Sequence, residues 1–186
     1  MNLDTPAKFS SSTVMLHWII GLTMLGLLGS GIYMTEFEVY ALYDWHKSIG
    51  ILIFVFAVWR VLWRLRNGWP TTLGETSDLM HGVAKLVHYL LLIGTVLLPL
   101  SGFIMSSMGG YGAAVFGFEL VAANPDPANP AEMIPINGAI AGIAHETHHL
   151  SGYIILAGVL LHLAGAFKHH LINQDGTLRR MLGAEV

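Results

Sequence analysis

Ten histidines stand against nine lysines and arginines in this 186-residue chain, and the chain has no cysteine. Disulfides, iron–sulfur clusters and thiol catalysis are therefore excluded. Imidazole remains as the side chain that can bind a transition metal and still be tolerated among apolar residues. His148 and His162 are 14 residues apart. On a helix with 3.6 residues per turn this is nearly four turns, so both rings project from almost the same face, about 21 Å apart along the axis. His145 and His149 fall roughly 100° and 140° off that face relative to His162.

The surroundings of these histidines are lipid-like. The chain is 54% hydrophobic and 11% charged, with a mean hydropathy of +0.60. A soluble domain carries roughly 25% charged residues. The composition excludes a disordered chain, a nucleic-acid binder and an ordinary soluble enzyme. Long stretches between charged residues predict four spans near 14–34, 46–65, 84–105 and 147–167, each close to the roughly 20 residues that a bilayer requires. Period-2 alternation is not sustained anywhere, so strands do not compete. The expected fold is all-α, a transmembrane four-helix bundle forming a single domain over 1–186. The longest connection, 106–145, contains Pro125, Pro127 and Pro130, and a continuous helix cannot run through 124–130.

With four spans, both termini share a side. That side holds Lys8, Arg60, Arg64, Arg66, Lys85, Lys168, Arg179 and Arg180, and the other holds Lys47 alone. The positive-inside rule puts both termini in the cytoplasm. The outer side carries Glu36, Glu38, Asp44, Glu119, Asp126, Glu132 and Glu146. Its summed charge repels anions, and Lys47 is the one local exception.

Depth then dictates which histidines meet. His17 and His162 share the inner level, and His46 and His148 share the outer level. A histidine in a span is costly and is a functional candidate by default. Two bis-histidine pairs stacked in a helical bundle, without cysteines or carboxylates at those depths, suit two haem b groups. Zinc fits less well, because its sites gather three or four ligands in one place. Lys47 and Arg60 are candidates for haem-propionate contacts, arginine being suited to bidentate carboxylate binding. His81 and His88, seven residues apart on one face at the inner start of the third helix, are candidates for quinone or propionate contacts. Arg64 reads as an orienting, snorkelling residue. Trp18, Trp45, Trp59, Trp63 and Trp69 cluster towards span ends, where an interfacial belt explains most of them, and His169 and His170 read as a solvated helix end.

The chain resembles a known family, the bacterial cytochrome b561 proteins. The resemblance lies in Leu16-His17-Trp18, in His46-Lys47-Ser48-Ile49-Gly50 with the run Arg60 to Asn67, in Leu98-Pro99-Leu100-Ser101-Gly102, in Phe116-Gly117-Phe118, and in His162 followed by Lys168-His169-His170 and Asp175 to Leu182. It spans nearly the whole chain in order. It implies a multi-pass cytochrome of the bacterial inner membrane, with axial ligands corresponding to His17, His46, His148 and His162. The His-Glu dipeptide common at the start of helix four in the family corresponds to His145-Glu146, whereas distance to the inner ligand selects His148. We follow distance, because a ring must reach iron.

The resemblance further implies electron transfer between the outer (periplasmic) surface and the membrane quinone pool. Some members are superoxide oxidases that pass an electron from superoxide to ubiquinone. Two rival readings use the same residues. One is a haem-b membrane anchor that exchanges electrons with a dehydrogenase or hydrogenase partner docked on 106–145. The other is a metal transporter that uses the histidines directly.

Overall fold

The computed structural model describes residues 3–74 and 77–186. Met1 and Asn2 lie outside the described residues, as do Glu75 and Thr76 of the polar run in the second connection. Four long helices dominate: α1 (Ser11–Glu36), α2 (Tyr43–Asn67), α3 (Asp78–Met108) and α4 (Gly138–Phe167). All four are long and apolar enough to cross a membrane. Each exceeds its predicted span at both ends or, for α4, at the start. Stretches without charge mark the hydrocarbon portion of a helix, whereas its ends are set by caps. The side chains of Ser10, Ser77 and Asn137 each accept a backbone N–H from the first turn of α1, α3 and α4, satisfying donors that have no partner within the helix. Gly68, at φ 74°, ends α2 just after Arg64 and Arg66, whose charges suit the negative end of the helix dipole.

α2 packs on both α1 and α3, and α3 packs along α4. Direct backbone approach of α4 to α1 or α2 is slight. The buried cluster includes Leu16, Ile20, Met24 and Leu27 of α1, Ile53 and Trp63 of α2, Leu98 of α3 and Ile155 of α4. Leu22, Val55, Leu86, Ile93 and Leu160 point outward, as expected where the solvent of the outer face is lipid.

The connection expected over 106–145 is shorter and more ordered than the sequence suggests. Residues 138–145 belong to α4. The remainder contains an antiparallel hairpin of β1 (Ala113–Val115) and β2 (Phe118–Val121), which the lack of alternation did not signal. Its turn is Phe116-Gly117, with φ 48° and 87°. Two successive positive φ values make the I′-type turn that matches strand twist. A phenylalanine is an uncommon residue for the first position. Contacts from α2 hold it there: the Phe116 N–H donates to Ser48 Oγ at 2.9 Å, and its ring meets Trp45 edge-on at 5.3 Å.

At the end that carries both termini, the chain is knotted together by polar contacts. Arg180 is buried, donates to the Pro6 and Thr71 carbonyls at 2.7 Å each, and stacks on Phe9 with its guanidinium 4.2 Å from the ring centroid. Trp18 Nε1 donates to the Met181 carbonyl. Trp63 is buried and donates to Thr13 Oγ1 at 2.8 Å, so this tryptophan is an internal tie and not a member of an interfacial belt. Arg64 reaches Asp4 at 3.5 Å and the Gly68 carbonyl at 2.9 Å. After α4 a π-helical turn over Lys168–Asn173 leads to α5 (Thr177–Met181). His169 is not merely solvated there, because its ring is hydrogen-bonded to Asp175.

Two predictions follow from this packing. A Cβ on Gly94 would lie 2.6 Å from Ile155 Cδ1, so Gly94→Val wedges α3 from α4. Its expected cost is about 1–3 kcal/mol, read as a lowered thermal midpoint in detergent. Ile155→Ala in the same chain should restore part of that loss, with the two changes strongly non-additive. The second prediction concerns pH. Burial opposes the Asp175 carboxylate, but hydrogen bonds from Thr177 and His169 outweigh it and hold its pKa down to about 2. A depressed carboxylate contributes stability above its unfolded value of 3.8, and that stability disappears as pH falls towards the folded value. Protease sensitivity of the tail should therefore rise between about pH 4 and pH 2. Asp175→Asn should make the tail sensitive at neutral pH.

Candidate functional site

Four of the histidines singled out by spacing line the gap between α4 and the α1–α2 pair. At the termini end, His17 of α1 and His162 of α4 have ring centroids 6.0 Å apart, inclined at 57°. At the loop end, His46 in the first turn of α2 and His148 of α4 have centroids 6.3 Å apart, inclined at 81°. An imidazole nitrogen lies roughly 2 Å from a metal it binds, and the ring centre lies about 1 Å further. Two imidazoles holding one metal between them therefore have centroids roughly 6 Å apart.

The tautomers of the loop-end pair are set by their neighbours. Ser30 Oγ donates to the Leu27 carbonyl at 3.1 Å, so toward His46 Nδ1, 3.2 Å away, it can only accept. His148 Nδ1 lies 2.9 Å from the Leu98 carbonyl, which accepts but cannot donate. Both rings therefore carry their proton on Nδ1 and leave Nε2 as a free lone pair. This is the arrangement by which a second shell prepares a histidine for a metal. Glycines sit where the rings need room. A Cβ at Gly102 would be 2.9 Å from His148 Cε1, and one at Gly31 would be 3.3 Å from His46 Cε1.

The termini-end pair is wired differently. Arg60 Nη2 lies 3.3 Å from His17 Nδ1, and a guanidinium only donates. His17 Nδ1 is thus the acceptor, and its proton is on Nε2. For Nε2 to serve a metal, Nδ1 would have to carry the proton, and Arg60 would then no longer be its hydrogen-bond partner. His88 of α3 comes within 5.3 Å of His162, centroid to centroid. Among the described residues, the His81 side chain shows no hydrogen bond or ring contact linking it to this cluster.

The other candidates are placed as follows. His46 meets the ring of His148, while His145 stacks on His149 and donates from Nδ1 to Glu146 Oε1 at 3.3 Å. Lys47 lies 3.8 Å from Asp44, whose side chain is 94% exposed. Sequence reasoning missed Ser30, which sets the His46 tautomer. The Gly29-Ser30-Gly31 triplet, small residues facing the level of His46, was the available signal.

At two levels of α4 imidazole opposes imidazole at the separation that one shared metal ion would require. The donor set, neutral imidazoles with no thiolate or carboxylate, suits haem b. Comparisons with known proteins agree. The model of the prokaryotic cytochrome b561 family matches residues 8–184. Cytochrome b561 homolog 2 of Escherichia coli K12 is 30% identical over 185 residues, covering 97% of this chain and 94% of that protein. Cytochrome b561 homolog 1 of the same strain is 26% identical, covering 94% and 97%. A protein named probable superoxide oxidase CybB, from Yersinia pestis, is 26% identical, covering 94% and 96%. This chain belongs to the prokaryotic cytochrome b561 family, and is a haem b protein of the membrane that transfers electrons.

Proposed function

We propose that the chain holds two b haems, one between His17 and His162 and one between His46 and His148, and moves electrons between the periplasmic side and the membrane quinone pool. The observation that carries this reading is the pair of roughly 6 Å imidazole separations, at two depths joined by one face of α4. When bound, haem b would supply one-electron redox chemistry at its iron. The residues of the chain do the rest. Ser30 and the Leu98 carbonyl orient the loop-end rings. Arg60 is positioned to take a propionate carboxylate when it leaves His17. His88 lies beside the inner pair, where a quinone headgroup needs a hydrogen-bond or proton partner, and His81 is the lesser candidate on the same helix.

The charge distribution supports cytoplasmic termini. The likeness to the Yersinia pestis protein supports superoxide as electron donor, and ubiquinone as acceptor is what the family resemblance of the sequence implies. Lys47, the residue that follows His46, then lies at the mouth of the outer site, and its pairing with Asp44 leaves little of its charge to offset an acidic face.

Purified protein should give two b haems per chain by pyridine haemochrome. His148→Ala should remove about half of that absorbance and His145→Ala none of it. One haem per chain overturns the two-site assignment, and loss of haem in His145→Ala alone moves the outer ligand to that residue. Charge at the mouth gives a second test. Lys47→Glu should slow haem reduction by superoxide several-fold and Asp44→Asn should speed it, because steering changes on-rates by about 10–10³ at most. Both effects should shrink as the Debye length falls from roughly 30 Å at 0.01 M salt to about 10 Å at 0.1 M. Rates indifferent to both substitutions refute steering at this mouth and leave the haem assignment standing.

A further inference from the structure

Just above His148, α4 carries a second group of histidines that the haem reading leaves unused. His145 and His149 are four residues apart, and their ring planes are inclined by only 5° with centroids 6.3 Å apart. At this spacing two side chains rise from one helical stripe, with Cβ atoms roughly 5–6 Å apart. Both residues are exposed, the His145 side chain to 61%. On an exposed face the rings turn freely about their last torsion, so both Nε2 atoms can be aimed at a common point. Glu146 Oε1 lies 3.3 Å from His145 Nδ1, and because a carboxylate only accepts, this contact favours the proton on Nδ1 and leaves Nε2 for a metal, as carboxylates do behind metal-binding histidines. A shallow surface groove of about 540 Å³, lined by Gly142, Ile143, Glu146, Thr147, His149 and Leu150, runs along this stretch of the helix.

We propose that His145 and His149 form a bidentate site for a divalent first-row transition ion at the loop end of α4, with Glu146 orienting His145 and water completing the coordination. Imidazole donors suit copper, zinc and nickel, with Cu²⁺ the tightest of the divalent series. The acidic residues of this end, Glu36, Glu38, Asp44, Glu119, Asp126, Glu132 and Glu146, raise the local concentration of cations. Occupancy places two positive charges beside His148, at an end whose sole lysine is held by Asp44. The proposal rests on the assignment of His148, and not His145, to the outer haem.

The test uses the haem-loaded full chain with any affinity tag removed. Titration with Cu²⁺, followed by calorimetry and by the nitrogen hyperfine pattern of the copper EPR signal, should show one site per chain that EDTA reverses. His145→Ala and His149→Ala should each weaken it at least tenfold, Glu146→Gln should weaken it less, and His170→Ala should leave it intact. Haem absorbance should be unchanged in all four variants. Copper binding that survives loss of both histidines, or no copper binding by the unsubstituted chain, overturns the proposal. Loss of haem in His145→Ala also overturns it, and does so by showing that the outer haem reading is at fault.

Discussion

An imidazole in hydrocarbon has two nitrogens and no water to serve them. At the loop end the bundle answers this with a serine hydroxyl already committed to its own helix and with a main-chain carbonyl of α3. Each takes the Nδ1 proton and turns the remaining lone pair into the gap. The small residues follow from the same requirement. Gly31 and Gly102 clear space against the rings, and Gly94 lets α3 pack closely on Ile155 of α4. The separation of α4 from α1 and α2 completes the arrangement, because a bundle packed equally on all sides would close over the imidazoles.

The two ends of the molecule solve opposite electrostatic problems. The termini end gathers arginines and must keep them from repelling one another. It ties Arg64 to Asp4, and buries Arg180 among carbonyls and over an aromatic face. Burial lowers the Arg180 pKa, with Asp4 and Asp175 acting against that fall, so the side chain keeps its charge. The loop end is acidic, nearly free of basic groups, and roofed by a hairpin pinned to α2.

Much of this was legible in the sequence because lipid imposes simple rules. The absence of charge located four spans, and a 14-residue interval brought His148 and His162 onto one face without any knowledge of packing. What the sequence hid depended on partners far along the chain. The hairpin turn has Phe116 in a left-handed conformation, which local propensity disfavours and which Ser48, 68 residues away, sustains. The same holds for Arg60. Its guanidinium lies against His17, a contact between α1 and α2 that periodicity does not encode. Helix ends were misjudged because caps are polar and sit beyond the apolar stretch that hydropathy detects.

The seam where α4 stands off α1 also decides what the bundle can accommodate. On the other three sides backbones approach closely, so a group inserted there would have to part packed helices. Along this seam α4 faces α1 and α2 mainly through side chains, the opposed imidazoles among them. A flat group admitted between those rings would displace side chains and leave the backbone of the bundle and the polar ties at the termini where they are.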